Sequence, residues 1–272
     1  MFRDLWRDLI LVVVGFLLSI VGALIGAWVQ RVFDRRGERR PLNKLLNFGA
    51  DDLLFIFPHR KEINEGILPR TSTEDFMAMN NFISALIKTG WARGNGVRDT
   101  ERVLPQDKKR NLVVICSPRS NEFAGVLQAQ LEALNLHAFS FKTDSEGRMC
   151  IIDPRDSDRP PFNSPSWGQE EDYLENGVSR HELPAQSFRD YAVITKVSSP
   201  WNQKNKVVWV AGIRGIGTWG AAECIKKRWQ QIYAKLPDNA KDADFSALIK
   251  VQYDNCDITS TDVQDLFVLR RR

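Results

Sequence analysis

"VVWVAGIRGIGTWGAAECIKKRW", Val207 to Trp229, reads as an apolar strand, a glycine-rich turn and an amphipathic helix. Gly215, Gly217 and Gly220 match G-x-G-x-x-G in the setting that pattern requires, after a strand and at the opening of a helix. Without Cβ atoms, Gly215 and Gly217 leave backbone N–H groups open to an anion, and the helix dipole adds favourable potential there. Thr218 stands at the helix start, and Gly220 would let the helix lie close to a sheet. No acidic residue closes the next strand at the distance that holds a ribose, since Asp254 is too far on. No nicotinamide, flavin or other cofactor is therefore expected.

Working outward, two earlier units share the plan. "LLFIF", Leu53 to Phe57, is a buried-type strand stopped by Pro58. The next helix is capped by Ser72 or Thr73, with Glu74 and Asp75 in its first turn and Gly90 at its end. Phe76, Met79, Phe82, Ile83, Leu86 and Ile87 form its apolar face. "NLVVICSP", Asn111 to Pro118, is a second apolar strand, and Ser120 or Asn121 caps a helix whose inner face holds Phe123, Val126, Leu127, Leu131 and Leu134. Strand–helix alternation favours a parallel sheet covered by helices. "HAFSFK" and "RMCIID" read as a β-hairpin across "TDSEG". From about 153 to 190 the chain is polar and proline-rich, too long for an ordinary connection and hence a lid or an insertion.

The chain has 272 residues with Lys+Arg 38 against Asp+Glu 34, a balance that argues against DNA binding. Four scattered cysteines and three histidines show no zinc spacing, so no metal site is expected. "LILVVVGFLLSIVGALIGAWV", Leu9 to Val29, has no charged residue and is long enough to cross a bilayer. Arg31, Arg35, Arg36, Arg39 and Arg40 follow it, against Arg3 and Arg7 before it. The positive-inside rule then places the N-terminus outside a cell inner membrane and the large domain in the cytoplasm. Gly15, Ser19, Gly22 and Gly26 lie on one helical stripe, and Gly22-x-x-x-Gly26 suits backbone-close packing of two such helices in a homo-oligomer.

The expected domains are a transmembrane anchor over 1–30, a basic juxtamembrane linker over 31–44 and a cytosolic domain over 45–272. The expected fold class is α/β: a single N-terminal transmembrane helix, then a mainly parallel, Rossmann-like three-layer sheet domain with a β-hairpin and a long loop insertion.

Three strand-to-helix turns each carry an arginine: Arg70, Arg119 and Arg214. In an open parallel sheet such turns lie at the carboxyl edge, where guanidinium groups converging near helix starts suit a phosphorylated ligand. The candidate binding residues are Arg70, Ser72, Ser117, Arg119, Ser120, Asn121, Arg214, Gly215, Gly217 and Thr218.

On "ICSPRSNEF" (Ile115 to Phe123) and "GIRGIGTWGAA" (Gly212 to Ala222), together with the whole-chain layout, the protein resembles membrane effectors of bacterial antiviral signalling. Its soluble part is loosely similar to nucleotide-sensing SLOG and CARF domains. The resemblance implies that these turns bind a nucleotide signal, cyclic or oligomeric, and that binding drives oligomerisation in the lipid bilayer and disrupts the membrane. The alternative reading is a membrane-tethered enzyme of nucleosidase or glycosyltransferase type, for which Glu74, Glu122 and Glu223 are the available carboxylates. Helix-start glutamates ordinarily serve the dipole, so no catalytic residue is assigned.

Overall fold

A computed structural model describes residues 39–48, 52–58, 72–91, 95–164, 188–254 and 257–270. The chain divides into two compact units, Met1–Pro41 and Leu42–Arg272, and the strands and helices named here belong to the second. Strands β1 (Leu53–Phe57), β2 (Asn95–Asp99) and β3 (Asn111–Ile115) alternate with helices α1 (Thr73–Thr89) and α2 (Glu122–Ala133). The hairpin β4 (Ser140–Thr143) and β5 (Met149–Ile152) comes next, followed by β6 (Phe188–Ser198) and β7 (Lys206–Gly212). Helix α3 (Gly215–Lys235), β8 (Phe245–Asp254) and β9 (Asp257–Val268) complete the unit.

The local signals act as their chemistry requires. Ser72 accepts the amide of Asp75 and caps α1, while Gly90 ends it in the left-handed conformation that glycine adopts without strain. Asn121, not Ser120, caps α2, its side chain accepting from the Ala124 amide. Of the six residues expected on the inner face of α1, Met79, Phe82, Ile83 and Leu86 pack on the core, but Phe76 and Ile87 point outward, 51% and 69% exposed. The hairpin forms as expected, in a two-stranded sheet of its own.

Seven strands make one sheet in the order β2-β1-β3-β7-β6-β8-β9. The mainly parallel sheet expected from the sequence is corrected here, because the sheet is mixed. β2, β1, β3 and β7 run parallel, whereas β7-β6, β6-β8 and β8-β9 are antiparallel with the longer ladders. The reason is connection length. A parallel neighbour needs a crossover of a dozen or more residues. β6 and β7 are joined by only 199–205, and β8 and β9 by 255–256, so each pair must fold back on itself.

Among the described residues no helix is long and apolar enough to cross a membrane. The stretch 9–29, with Gly15, Ser19, Gly22 and Gly26, lies outside the described residues.

Two apolar layers sandwich the sheet. Ala78, Phe82 and Leu86 of α1 and Ala221, Ala222, Ile225 and Ile232 of α3 pack on one face, together with Leu42, Leu45 and Leu46 from the helical stretch over 39–46. Phe123, Leu127 and Leu131 of α2 and Phe141, Met149 and Ile151 of the hairpin cover the other. The adjacent strands β1 and β3 therefore send their following helices to opposite faces, as do β3 and β7. Such a reversal opens a crevice at the carboxyl ends of the strands.

Candidate functional site

At the carboxyl ends of β3 and β7 lies a cleft of about 230 Å³, lined by Cys116, Ser117, Arg119, Ser120, Gly212, Ile213, Arg214 and Gly215. The two turns sit side by side because β3 and β7 are parallel partners, with Ile115 opposite Val210. Of the ten residues expected from sequence, Ser117, Arg119, Ser120, Arg214 and Gly215 come together here. Arg119 is exposed and Arg214 half-buried, and the Arg214 Nη1 donates to the Tyr253 hydroxyl at 3.2 Å. Arg70, the third arginine, lies outside the described residues.

The other expected residues serve the scaffold. Ser72 is spent as the α1 cap. The Asn121 amide is fully buried and donates to the carbonyls of Ile56, at 3.4 Å, and Ile115, at 2.7 Å. It thereby ties the ends of β1 and β3 together behind the cleft. Thr218 is fully buried, with its hydroxyl accepting the Gly212 amide at 2.9 Å.

Gly215 and Gly217 are not loop residues. The turn is only 213–214, Arg214 occupies the N-cap position, and both glycines already belong to α3. The anion at this helix start is supplied by the protein itself. Asp190 of β6, fully buried, accepts the Arg214 amide at 3.0 Å with one oxygen and the Tyr191 amide at 2.8 Å with the other. The Gly217 amide donates to it as well. A Cβ on Gly217 would stand 3.0 Å from the Asp190 carboxyl carbon and closer still to its oxygen. Gly217 is thus glycine so that a carboxylate can reach the amides. Burial pushes Asp190 up to about 7, against the three backbone N–H groups that favour its charge. Sequence reading missed Asp190 because β6 contributes it from the antiparallel side of the sheet, where no local pattern marks it.

Phosphate held by the glycine-rich amides is therefore displaced as the chemistry of this edge. What remains for an anion is the cleft itself: two arginines and the hydroxyls of Ser117 and Ser120. Its floor is unusual. Cys116, buried between β3 and the turn, has φ of 84°, and its carbonyl accepts the Trp209 indole N–H at 3.0 Å. Non-glycine residues adopt this region at a cost of about 1–3 kcal/mol, and β-branched ones worst of all. Cys116→Val is expected to lower stability by about 2 kcal/mol, whereas Cys116→Gly keeps the fold, as a denaturant midpoint would report. Equal losses in the two variants would mean that packing of the thiol, not backbone conformation, governs this position.

A second charged cluster lies at the opposite edge. Lys196 is fully buried, donates to the Asp242 carbonyl at 2.9 Å and rides 5.6 Å from the Phe245 ring centre. Burial, with the Lys206 ammonium nearby, pushes it down to about 8. Lys206 itself bonds Asp244 and Ser198. This group joins β6, β7 and β8 at the end away from the cleft. Among the described residues no cluster of His, Cys, Asp and Glu is arranged to hold a metal.

Of the carboxylates considered for an enzyme, Glu223 pairs with Lys227 at 2.8 Å on α3, and Glu74 packs its side chain against Gly215. None of Glu74, Glu122 and Glu223 lines the cleft. No protein-family model, curated protein or solved structure matches this chain.

Proposed function

We propose that Leu42–Arg272 is a sensor that captures a phosphorylated small molecule of nucleotide type in the cleft between β3 and β7. The observation that carries this is the meeting of Arg119 and Arg214, from two separate strand-to-helix turns, at a point where helices leave for opposite faces of the sheet. Guanidinium groups match phosphate oxygens in a fixed, planar geometry, and the Ser117 and Ser120 hydroxyls add donors without charge. The Arg214 side chain is already braced by Tyr253, which lowers the ordering cost of binding.

The output belongs to the same proposal and rests on the sequence of 9–29: attachment to the inner membrane, self-association through Gly15, Ser19, Gly22 and Gly26, and membrane disruption on ligand capture. A nucleotide-processing enzyme is the weaker reading, since none of Glu74, Glu122 and Glu223 lines the cleft.

The test is a melting-temperature screen of the full-length chain against pyrophosphate, ribose 5-phosphate and mono-, cyclic and oligonucleotides. A binder raises the transition by mass action. Arg119→Ala and Arg214→Ala are each expected to weaken that binder about tenfold to a hundredfold, the effect of removing a charge-assisted hydrogen bond. A ligand that raises the transition equally in both variants would place binding elsewhere.

A further inference from the structure

Next to the cleft is a second cavity, of about 260 Å³, that the phosphate reading does not use. It is lined by Phe57, Pro58, Phe76, Met79, Val97, Asp99 and Arg102. It lies at the carboxyl ends of β1 and β2, on the same edge of the sheet as the first. The cavities lie at the ends of adjacent strands, β1 and β3, and the buried Asn121 side chain ties those ends together. The Asn121 amide bonds the carbonyl of Ile56, one residue before Phe57, and that of Ile115, one residue before Cys116. In the order β2-β1-β3-β7, the midpoint of β2 and β1 is two strand spacings from the midpoint of β3 and β7, or about 10 Å. That is near the reach from the 5′-phosphate of a mononucleotide to the far edge of a purine base.

The lining has the chemistry of a base pocket. Phe76, 51% exposed, and the thioether of Met79 offer a stacking wall, and Val97, 54% exposed, forms the facing side. Asp99 accepts the Arg102 amide at 3.1 Å and pairs with its guanidinium at 3.2 Å, which fixes a carboxylate at the rim. A carboxylate accepts from a ring or exocyclic N–H, and the flat Arg102 guanidinium stacks on a heterocycle.

We infer that this second cavity is the base subsite of the same ligand, so that the guest is a nucleoside phosphate with its heterocycle against Phe76 and Met79 and its phosphate on Arg119 and Arg214. The inference rests on the phosphate reading of the first cleft and extends it.

The experiment compares ribose 5-phosphate with the four nucleoside 5′-monophosphates on the full-length chain, by equilibrium binding. Phe76→Ala and Val97→Glu are tested beside Arg119→Ala. Because Phe76 and Val97 are largely exposed, both variants are expected to keep the parent melting temperature. At least one nucleoside monophosphate is expected to bind about tenfold or more tightly than ribose 5-phosphate. Phe76→Ala and Val97→Glu should erase that advantage and leave ribose 5-phosphate unaffected, whereas Arg119→Ala weakens both. Equal binding of all five compounds, still sensitive to Arg119→Ala, overturns the base subsite while the phosphate site stands. No binding by any of them overturns the base subsite, and the phosphate site falls with it only if pyrophosphate and the cyclic and oligonucleotides of the wider screen also fail to bind. Unchanged nucleotide affinity in Phe76→Ala with a lowered melting temperature assigns the cavity to packing within the chain, and likewise overturns the proposal.

Discussion

Gly212→Ala is expected to destabilise the domain by about 3–5 kcal/mol, a large fraction of the roughly 5–15 kcal/mol that holds a typical domain folded. Gly212 is the last residue of β7, and α3 begins three residues later. A Cβ there would meet the backbone nitrogen of Thr218, with the Gly217 carbonyl carbon at 2.5 Å and the Arg214 oxygen at 2.6 Å. No rotamer change relieves a clash with backbone. The whole first turn of α3 would have to move, and with it the Thr218 hydroxyl that receives the Gly212 amide. Chemical denaturation checks the magnitude. A loss below about 1 kcal/mol would show that the helix start shifts freely, and the placement of Arg214 would then carry little meaning.

For Asp190→Asn the expected result is a change in the pH dependence of stability. The Asp190 carboxyl rises from 3.8 in the unfolded chain to about 7 in the fold. The folded state therefore holds the proton more tightly. The stability this group contributes is complete below about pH 4 and is lost as pH rises toward 7. At about 1.4 kcal/mol for each pH unit, the loss is on the order of 4 kcal/mol. Asparagine carries no titrating proton, so this slope should vanish. The stability of the variant relative to the parent should climb by several kcal/mol between pH 4 and 8. Denaturant titrations at pH 4, 5, 6, 7 and 8 measure it, and parallel curves for the two proteins would mean that Asp190 stays ionised in the fold throughout. Asp190→Ala should be worse at every pH, because it leaves the amides of Tyr191, Arg214 and Gly217 without their acceptor.

These two residues explain what the glycine pattern is for. Gly212 and Gly217 lack side chains so that strand, helix start and a buried carboxylate can fit against one another. Gly220 lets α3 pass over Val251 of β8, the sheet contact expected of it. A pattern associated with phosphate is here used for packing, and the cleft beside it inherits only the arginine.

The sequence by itself determined the local elements. Apolar runs such as Leu53–Phe57 and Asn111–Ile115 form buried strands, Ser72 and Asn121 cap helices, and Gly90 ends one, because each depends on neighbours within a few residues. Arg119 and Arg214 were legible as turn residues for the same reason. The edge strand β2, short and built from "NGVRD", carried no hydrophobic pattern to reveal it. Only the tertiary structure decided which turns meet. The antiparallel half of the sheet carries Asp190 under the helix that starts at Gly215, 25 residues later in the chain. Strand order brings Phe57 and Cys116 to adjacent walls and gives Asn121 to the scaffold instead of the ligand. Charge burial and cavity walls arise from contacts between distant segments, and no periodicity along the chain encodes them.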